Sequence, residues 1–327
     1  MRKLFFAVLA AVLLGPVVCV LAPAAHDAHG PALMLAARAV PENRTPAPVL
    51  VKQFPALAPA GSRPSPMSQP SPSEPSPSQP SLASRGPWKL VWSTHFPASA
   101  PLGSFGGGGN GPSVNAPDLP SALQSQWGAY PAGWPDTATQ RDYPVGGYYD
   151  PARTAWISGG QLHIRMYRGA SGPVHSAALV PLAAQDRMYG KYVETFRVSQ
   201  IAAGYKSAHL LWPSNGDQNT TSFEVDYPED EWDTGISAYV HDGDEPQQSF
   251  PANANWASWH TTEIDWTPHR LAFFLDGKLI GATTSGVPDV PMDWIIQNES
   301  ALNGESAAPN SSAQIDISHV AYYSYTG

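Results

Sequence analysis

Residues 260–280 read HTTEIDWTPHRLAFFLDGKLI. His260–Trp266 and Arg270–Leu275 are short runs rich in β-formers, and Asp276-Gly277 stands between Phe273-Phe274-Leu275 and Lys278-Leu279-Ile280. A two-residue Asp-Gly link between apolar runs is a hairpin signal, because its turn needs positive φ. Similar runs recur outward from this hairpin: Trp88–Trp92, Thr154–Ile157, Gln161–Tyr167, Tyr192–Val198, Ser207–Trp212, Ser222–Tyr227, Gly235–Val240 and Ile315–Tyr325. No window beyond residue 87 sustains a 3.6-residue period over three turns. At least ten strands with no helices between them must bury one face of each sheet on another sheet. The predicted fold class is therefore all-β, a two-sheet antiparallel β-sandwich of jelly-roll type. The Gly- and Pro-rich stretch from Ala98 to Ser121 is expected to be a mobile loop. It is not a phosphate cradle, since no Lys-Ser/Thr follows its glycines and no helix opens after it.

The chain has 327 residues, and its composition is split. Residues 1–86 hold 15 of the 35 prolines, none of the 11 tryptophans, and seven Lys/Arg against three Asp/Glu. Residues 87–327 hold every tryptophan and 11 Lys/Arg against 24 Asp/Glu, so the globular part is acidic and repels phosphate backbones. Nucleic acid is excluded as a partner on that ground. The single cysteine, Cys19, can form no intrachain disulfide. Arg2-Lys3, the apolar run Leu4–Ala22 and Ala22-Pro23-Ala24 have the form of an export signal. Residues 1–25 are read as a signal peptide or an uncleaved signal anchor, with membrane anchoring through residues 4–22 in the second case. Residues 26–86 are read as a disordered Ala/Pro/Ser-rich linker, and residues 87–327 as the globular domain. The arrangement predicts a monomer working outside the cell, secreted or held at the outer face of the membrane or wall.

The chemistry concentrates in Phe223-Glu224-Val225-Asp226-Tyr227-Pro228-Glu229. In a regular strand Glu224 and Asp226 share a face, and Glu229 points the other way. One inserted residue between Asp226 and Glu229 puts all three carboxylates on one face, and Pro228, which cannot donate to a ladder, sits where a bulge tolerates it. Four strand steps then separate the Cα atoms of the two glutamates by roughly 13 Å. Side chains leaning together across that gap can approach the separation of about 5–5.5 Å expected of a retaining glycosidase pair. Three acids on one face cannot all ionise comfortably, so one keeps its proton to a higher pH. Asp226, between the two glutamates, is placed to orient Glu224. The plain alternative is that the six acids between Glu224 and Asp233 form a solvated face or a loose cation site. An EF-hand is excluded, since the loop lacks the glycine at its sixth position.

With these residues in place, the sequence resembles glycoside hydrolase family 16, the laminarinase and lichenase-like enzymes, over most of residues 88–325. The carrying motif is Glu-x-Asp-x-x-Glu at Glu224, Asp226 and Glu229. Supporting segments follow in the family's order: Gly159–Ile164, Tyr189–Tyr192, Ser207–Pro213, Trp259-His260-Thr261 with Asp265–Pro268, Phe273–Gly277, and Pro291-Met292 leading to Gln297. The resemblance implies a concanavalin-like jelly roll with an open concave cleft and retaining endo-hydrolysis of a β-glucan. In it Glu224 is the nucleophile, Glu229 the acid/base and Asp226 the assistant.

Flat apolar rings suit the CH faces of sugars, and Trp212 and Trp232, which flank the acidic strand, are the preferred platforms, followed by Trp127. Gln297 and His260 are further substrate-binding candidates, carried over from the family's polar strand residue and its Trp-His pair. There are departures. Val193 and Thr195 stand where the family has Glu and Arg, with Glu194 and Arg197 out of that register. The reaction calls for no cofactor and no metal. A structural calcium, common in the family, is left open, because Asp316 matches its C-terminal ligand whereas Trp92–Phe96 lacks the acid near the domain's start. Three functional readings follow: a secreted hydrolase of β-1,3 or mixed β-1,3/1,4-glucan, a transglycosylase remodelling a wall polysaccharide, and a non-catalytic glucan-binding module. A module freed from catalysis has no reason to keep both glutamates at this spacing.

Overall fold

The computed structural model describes residues 86–106, 114–214, 223–242 and 246–327. The expectations for residues 1–85, and for the glycines at 107–109, lie outside the described residues.

Sixteen strands run through the described residues: β1 (Trp88–Thr94), β2 (Trp127–Ala129), β3 (Gly147–Tyr149), β4 (Ala155–Ser158), β5 (Gln161–Arg168), β6 (Val174–Pro181), β7 (Gly190–Gln200), β8 (Tyr205–Pro213), β9 (Phe223–Glu231), β10 (Gly235–Asp242), β11 (Gln248–Asn255), β12 (His260–Thr267), β13 (Arg270–Leu275), β14 (Lys278–Thr283), β15 (Met292–Ser300) and β16 (Ser312–Tyr325). Their order is β11-β10-β9-β8-β15-β6-β5-β16-β7-β12-β13-β14, antiparallel along this path, with β3 joining β6 in parallel. Strand β6 pairs with β15 in one layer and with β5 in the other, so it links the two sheets. Three helices of four residues each, α1 (Ser121–Gln124), α2 (Thr137–Gln140) and α3 (Pro151–Thr154), lie in the connections.

The hairpin read from Asp276-Gly277 joins β13 to β14, with Leu275 opposite Lys278 and φ of +51° and +75° at the two turn residues. Both layers contribute to one core. Tyr227 of β9 meets Phe273 of β13 at 5.7 Å between ring centroids and donates its hydroxyl to the Phe274 carbonyl at 3.0 Å. Trp294 of β15 meets Tyr192 of β7 at 5.4 Å. These ring contacts hold the β9–β8–β15 layer flat against its partner, so its other face is left to carry chemistry.

A second, smaller cluster sits on that other face. Leu210, Ile295, Ala178 and Val180 pack there with Tyr130 and Tyr149, and the half-buried Trp134 and Trp212 lean on them. The segment bearing Trp134 is held by Asp136, which is fully buried. Its Oδ1 accepts from the Thr139 amide, capping α2, and from the Gly147 amide, while Oδ2 accepts from the Ser300 amide of β15. A Cβ at Gly147 would lie 2.5 Å from Asp136 Oδ2 and 2.8 Å from Ser300 Oγ, so only glycine lets this clamp close.

Candidate active site

Strand β9 carries the bulge that the carboxylate spacing calls for. Against β8, Glu229 faces Ala208 and Asp226 faces Leu210; against β10, Glu229 faces Ser237 and Asp226 faces Tyr239. Three positions on β9 thus match two on each neighbour, and the extra residue falls at Tyr227-Pro228. Val225 and Tyr227 point into the core, and Glu224, Asp226, Glu229 and Glu231 share the opposite face. Strands β15 and β8 complete a grid of side chains beside them. Asp293 pairs with Trp212, Ile295 with Leu210, Gln297 with Ala208, and Glu299 with Lys206.

The electrostatics follow from burial. Asp226 is 1% exposed, and neither carboxyl oxygen has a hydrogen-bond partner; its charged neighbour is His241 of β10, with Nε2 3.3 Å from Oδ2. Burial first, then the charges of Glu224 and Glu229, push Asp226 well above the usual carboxylate range. Burial also raises Glu224, an effect that the His241 charge opposes and Glu229 reinforces. Burial works to lower His241, but its close contact with Asp226 and the fields of Asp226, Glu224 and Glu229 outweigh this and raise it to about 9. His241 is therefore a cation at neutral pH. Glu224, Asp226 and His241 each bring a ligand atom within 4.8 Å of the others, and the imidazolium already supplies the countercharge that a cation would.

Sequence reasoning missed two residues of this face. His241 pairs with Glu224 across β9–β10, a register that only the strand pairing reveals. Lys206 is 5% exposed, and its Nζ donates to Glu229 Oε1 at 2.7 Å and lies 3.9 Å from Glu299 Oε1. Burial acts to lower Lys206, but Glu229 and Glu299 outweigh it and raise it, so the ammonium persists. Glu299, raised to about 7 chiefly by burial, accepts from the Thr137 amide at 3.1 Å and ties this network to α2.

Of the aromatic candidates, Trp212 stands on the carboxylate face, accompanied by Tyr130 and Trp134, whose rings meet at 5.7 Å. Three expectations are corrected. Trp232 is 1% exposed and donates its indole N–H to Ser207 Oγ at 2.9 Å inside the core. Trp127 is fully buried between Trp92 and Phe96. His260 lies on β12, in the other layer, where Nδ1 meets Asp276 Oδ2 at 2.8 Å. None of the three can touch a ligand bound over β9. Gln297 lies in the row of Ala208 and Glu229; it is 3% exposed, and its Oε1 is buried and unpartnered.

Glu194 and Arg197 also lie away from the carboxylates. Glu194 is buried against His209 at 2.8 Å, and Arg197 lies over Trp259 at 4.9 Å. The calcium left open at Asp316 does not fit. Asp316 Oδ1 accepts from Gln314 at 2.7 Å and meets His163 Nδ1 at 2.8 Å, and Arg197 Nε stands 3.6 Å from Oδ2. These bonds outweigh burial and hold the carboxyl below its ordinary range, so protein groups already balance the charge a metal would meet.

Known proteins are similar to this chain in sequence family and in fold. The model of glycosyl hydrolases family 16 matches residues 153–318. A stretch of 33 residues is 52% identical to the probable glycosidase CRR1 of Saccharomyces cerevisiae, and covers 10% of this chain and 8% of the yeast protein. The fold is shared with the laminarinase from Rhodothermus marinus (TM-score 0.58, 21% identity, covering 73% of this chain and 98% of that one). It is shared too with the catalytic domain of the endo-1,3-beta-glucanase from Thermotoga petrophila (TM-score 0.55, 15% identity, 73% and 99%). With a family model spanning half of the chain, on a fold common to these enzymes along almost their whole length, the chain belongs to glycosyl hydrolases family 16 and is a glycoside hydrolase.

Proposed function

We propose that the chain is an extracellular, endo-acting, retaining hydrolase of β-1,3 or mixed β-1,3/1,4-glucan. The observation that carries this reading is the bulge at Tyr227-Pro228, which brings Glu224, Asp226 and Glu229 to one face beside Trp212. Glu229 protonates the glycosidic oxygen as Glu224 attacks the anomeric carbon and the leaving sugar departs. Glu229 then takes a proton from water as that water displaces Glu224 from the same carbon. His241, beside Asp226, supplies the positive charge that lets Glu224 ionise inside a desolvated site. Gln297 Oε1 is a buried acceptor without a hydrogen-bond partner, in the row of Glu229. The solved glucanases that share the fold support the polymer class, and the reaction as written needs no metal.

The test is product profiling by the full chain on laminarin, lichenan, xyloglucan and agarose, with a chelator present and Glu224→Gln as the control. Shorter oligosaccharides from laminarin or lichenan, absent with the mutant, are expected. Longer chains built from added acceptor would favour a transglycosylase, and binding without turnover would overturn the enzymatic reading.

The pH profile tests the role of His241. Its charge lowers Glu224 and Asp226, so removing it raises both further. His241→Gln is expected to move the acid limb of kcat/KM to higher pH, because the nucleophile then stays protonated where the wild type has ionised. An unmoved limb would remove His241 from the mechanism.

A further inference from the structure

Lys206 is the one basic side chain bonded to the carboxylates of this face apart from His241 among the described residues, and it is buried. A buried ammonium is costly unless its surroundings use it. The neighbouring acids are otherwise engaged. Glu231 Oε1 accepts from the amides of Leu302 and Asn303, and Glu299 Oε2 from that of Thr137. The shortest contact Lys206 makes is to Glu229 Oε1, at 2.7 Å, and Glu229 Oε2 has no hydrogen-bond partner among the described residues.

We propose that Lys206 is a positioning residue for the acid/base: by donating to Oε1 of Glu229 it reserves Oε2 as the oxygen that carries the transferred proton. This rests on the assignment of Glu229 above. An ammonium offers three donors and no acceptor, so the oxygen that faces it cannot present an O–H toward it. Of the two positions for the acid proton, only the one on Oε2 survives.

The same contact acts as the proton moves. In the first half-reaction the Glu229 O–H bond and the bond from the anomeric carbon to the leaving oxygen break, the proton passes to that oxygen, and the Glu224–carbon bond forms. Negative charge then develops on a carboxylate 2.7 Å from a fixed positive charge, which favours the transition state over the ground state. In the second half-reaction water returns a proton to Oε2, its oxygen bonds to carbon, and the Glu224–carbon bond breaks. Glu299, 3.9 Å away, and the field of Glu231 also favour the ammonium at this position.

The test uses the full chain with Lys206→Met and Lys206→Arg, assayed on polysaccharide and on aryl β-oligoglucosides of graded leaving-group acidity. Good leaving groups need no proton, so a defect in acid positioning must fade along that series. K206M is expected to lower kcat on polysaccharide by about 10²-fold with KM little changed. The loss should shrink toward nothing on a dinitrophenyl glycoside, and K206R should restore most of the rate. A loss equal across all leaving groups, or no loss, overturns the proposal. If K206M does not fold, K206M/E299Q removes one acid with the cation and carries the same measurement. Glu229→Ala run in parallel separates the two assignments. A graded loss in E229A without one in K206M defeats only the role of Lys206, whereas a uniform loss in E229A defeats the acid/base assignment itself.

Discussion

Replacing Glu224 with Gln is expected to lower kcat by about 10⁴-fold or more while leaving oligosaccharide affinity within a few-fold. The amide is nearly isosteric, but its oxygen cannot form the covalent intermediate. Glu229→Gln is expected to cost about 10² to 10⁴-fold, the usual worth of a general acid–base group, since Glu224 can still attack a substrate whose leaving group departs unaided. The two variants therefore differ in kind. Azide should rescue Glu224→Ala and give a glycosyl azide of inverted configuration, because the anion enters on the face that the carboxylate has vacated. In Glu229→Ala, azide should rescue the second step and give the retained product. Steady-state kinetics on polymer and on an activated aryl glycoside, with the product anomer read by NMR, checks both. Near-normal turnover by Glu224→Gln would sink the assignment.

The second large effect is on stability. Trp232→Ala is expected to destabilise the domain by about 3–5 kcal/mol, through a cavity in the core. For a domain of this size that corresponds to a fall in Tm of roughly 6–20 °C. The loss also strands a polar chain: the Trp232 indole donates to Ser207 Oγ, and Ser207 in turn donates to Asn298 Oδ1 at 2.8 Å, all of it buried. Below the transition the variant should bind and turn over glucan with an ordinary KM, because the indole lies on the core side of β9. Thermal unfolding together with KM at a permissive temperature distinguishes this from the sugar-platform role. An unchanged Tm with a raised KM would restore Trp232 to the cleft.

The misreading of Trp232 shows where the sequence could have been pressed further. Once a bulge at Tyr227-Pro228 is accepted, the carboxylate face of β9 is Glu224, Asp226, Glu229 and Glu231, and the next residue, Trp232, must turn inward. The same parity on β8 puts Lys206, Ala208, Leu210 and Trp212 together, which singles out Lys206 as the basic residue of that row. Trp127 carried no such signal, since β2 has only three residues and all are buried. His260 matched a family motif by order along the chain, and chain order does not say which of two stacked sheets a strand joins.

The hairpin at Asp276-Gly277 was legible because its chemistry is local, and the bulge because a two-residue period makes any slip visible. Strands β6 and β15 were not. All nine residues of β15 are buried, Gln297, Asn298, Glu299 and Ser300 among them, so the alternation that marks a half-exposed strand is absent. Strand β6 links the two layers and is buried over nearly its whole length, with the same result. His241 needed the β9–β10 register, which is a property of the folded pair and of neither strand alone.

The measurement that bears most directly on the chemistry is covalent trapping. The full chain is incubated with an activated 2-deoxy-2-fluoro β-oligoglucoside, which forms the glycosyl-enzyme but releases it slowly, and the labelled peptide is then mapped. A single ester on Glu224, formed as activity is lost and discharged as activity returns, is the predicted result. Continued turnover with no adduct, or a label on Asp226 or Glu229 in its place, would contradict the assignment of Glu224 as the nucleophile.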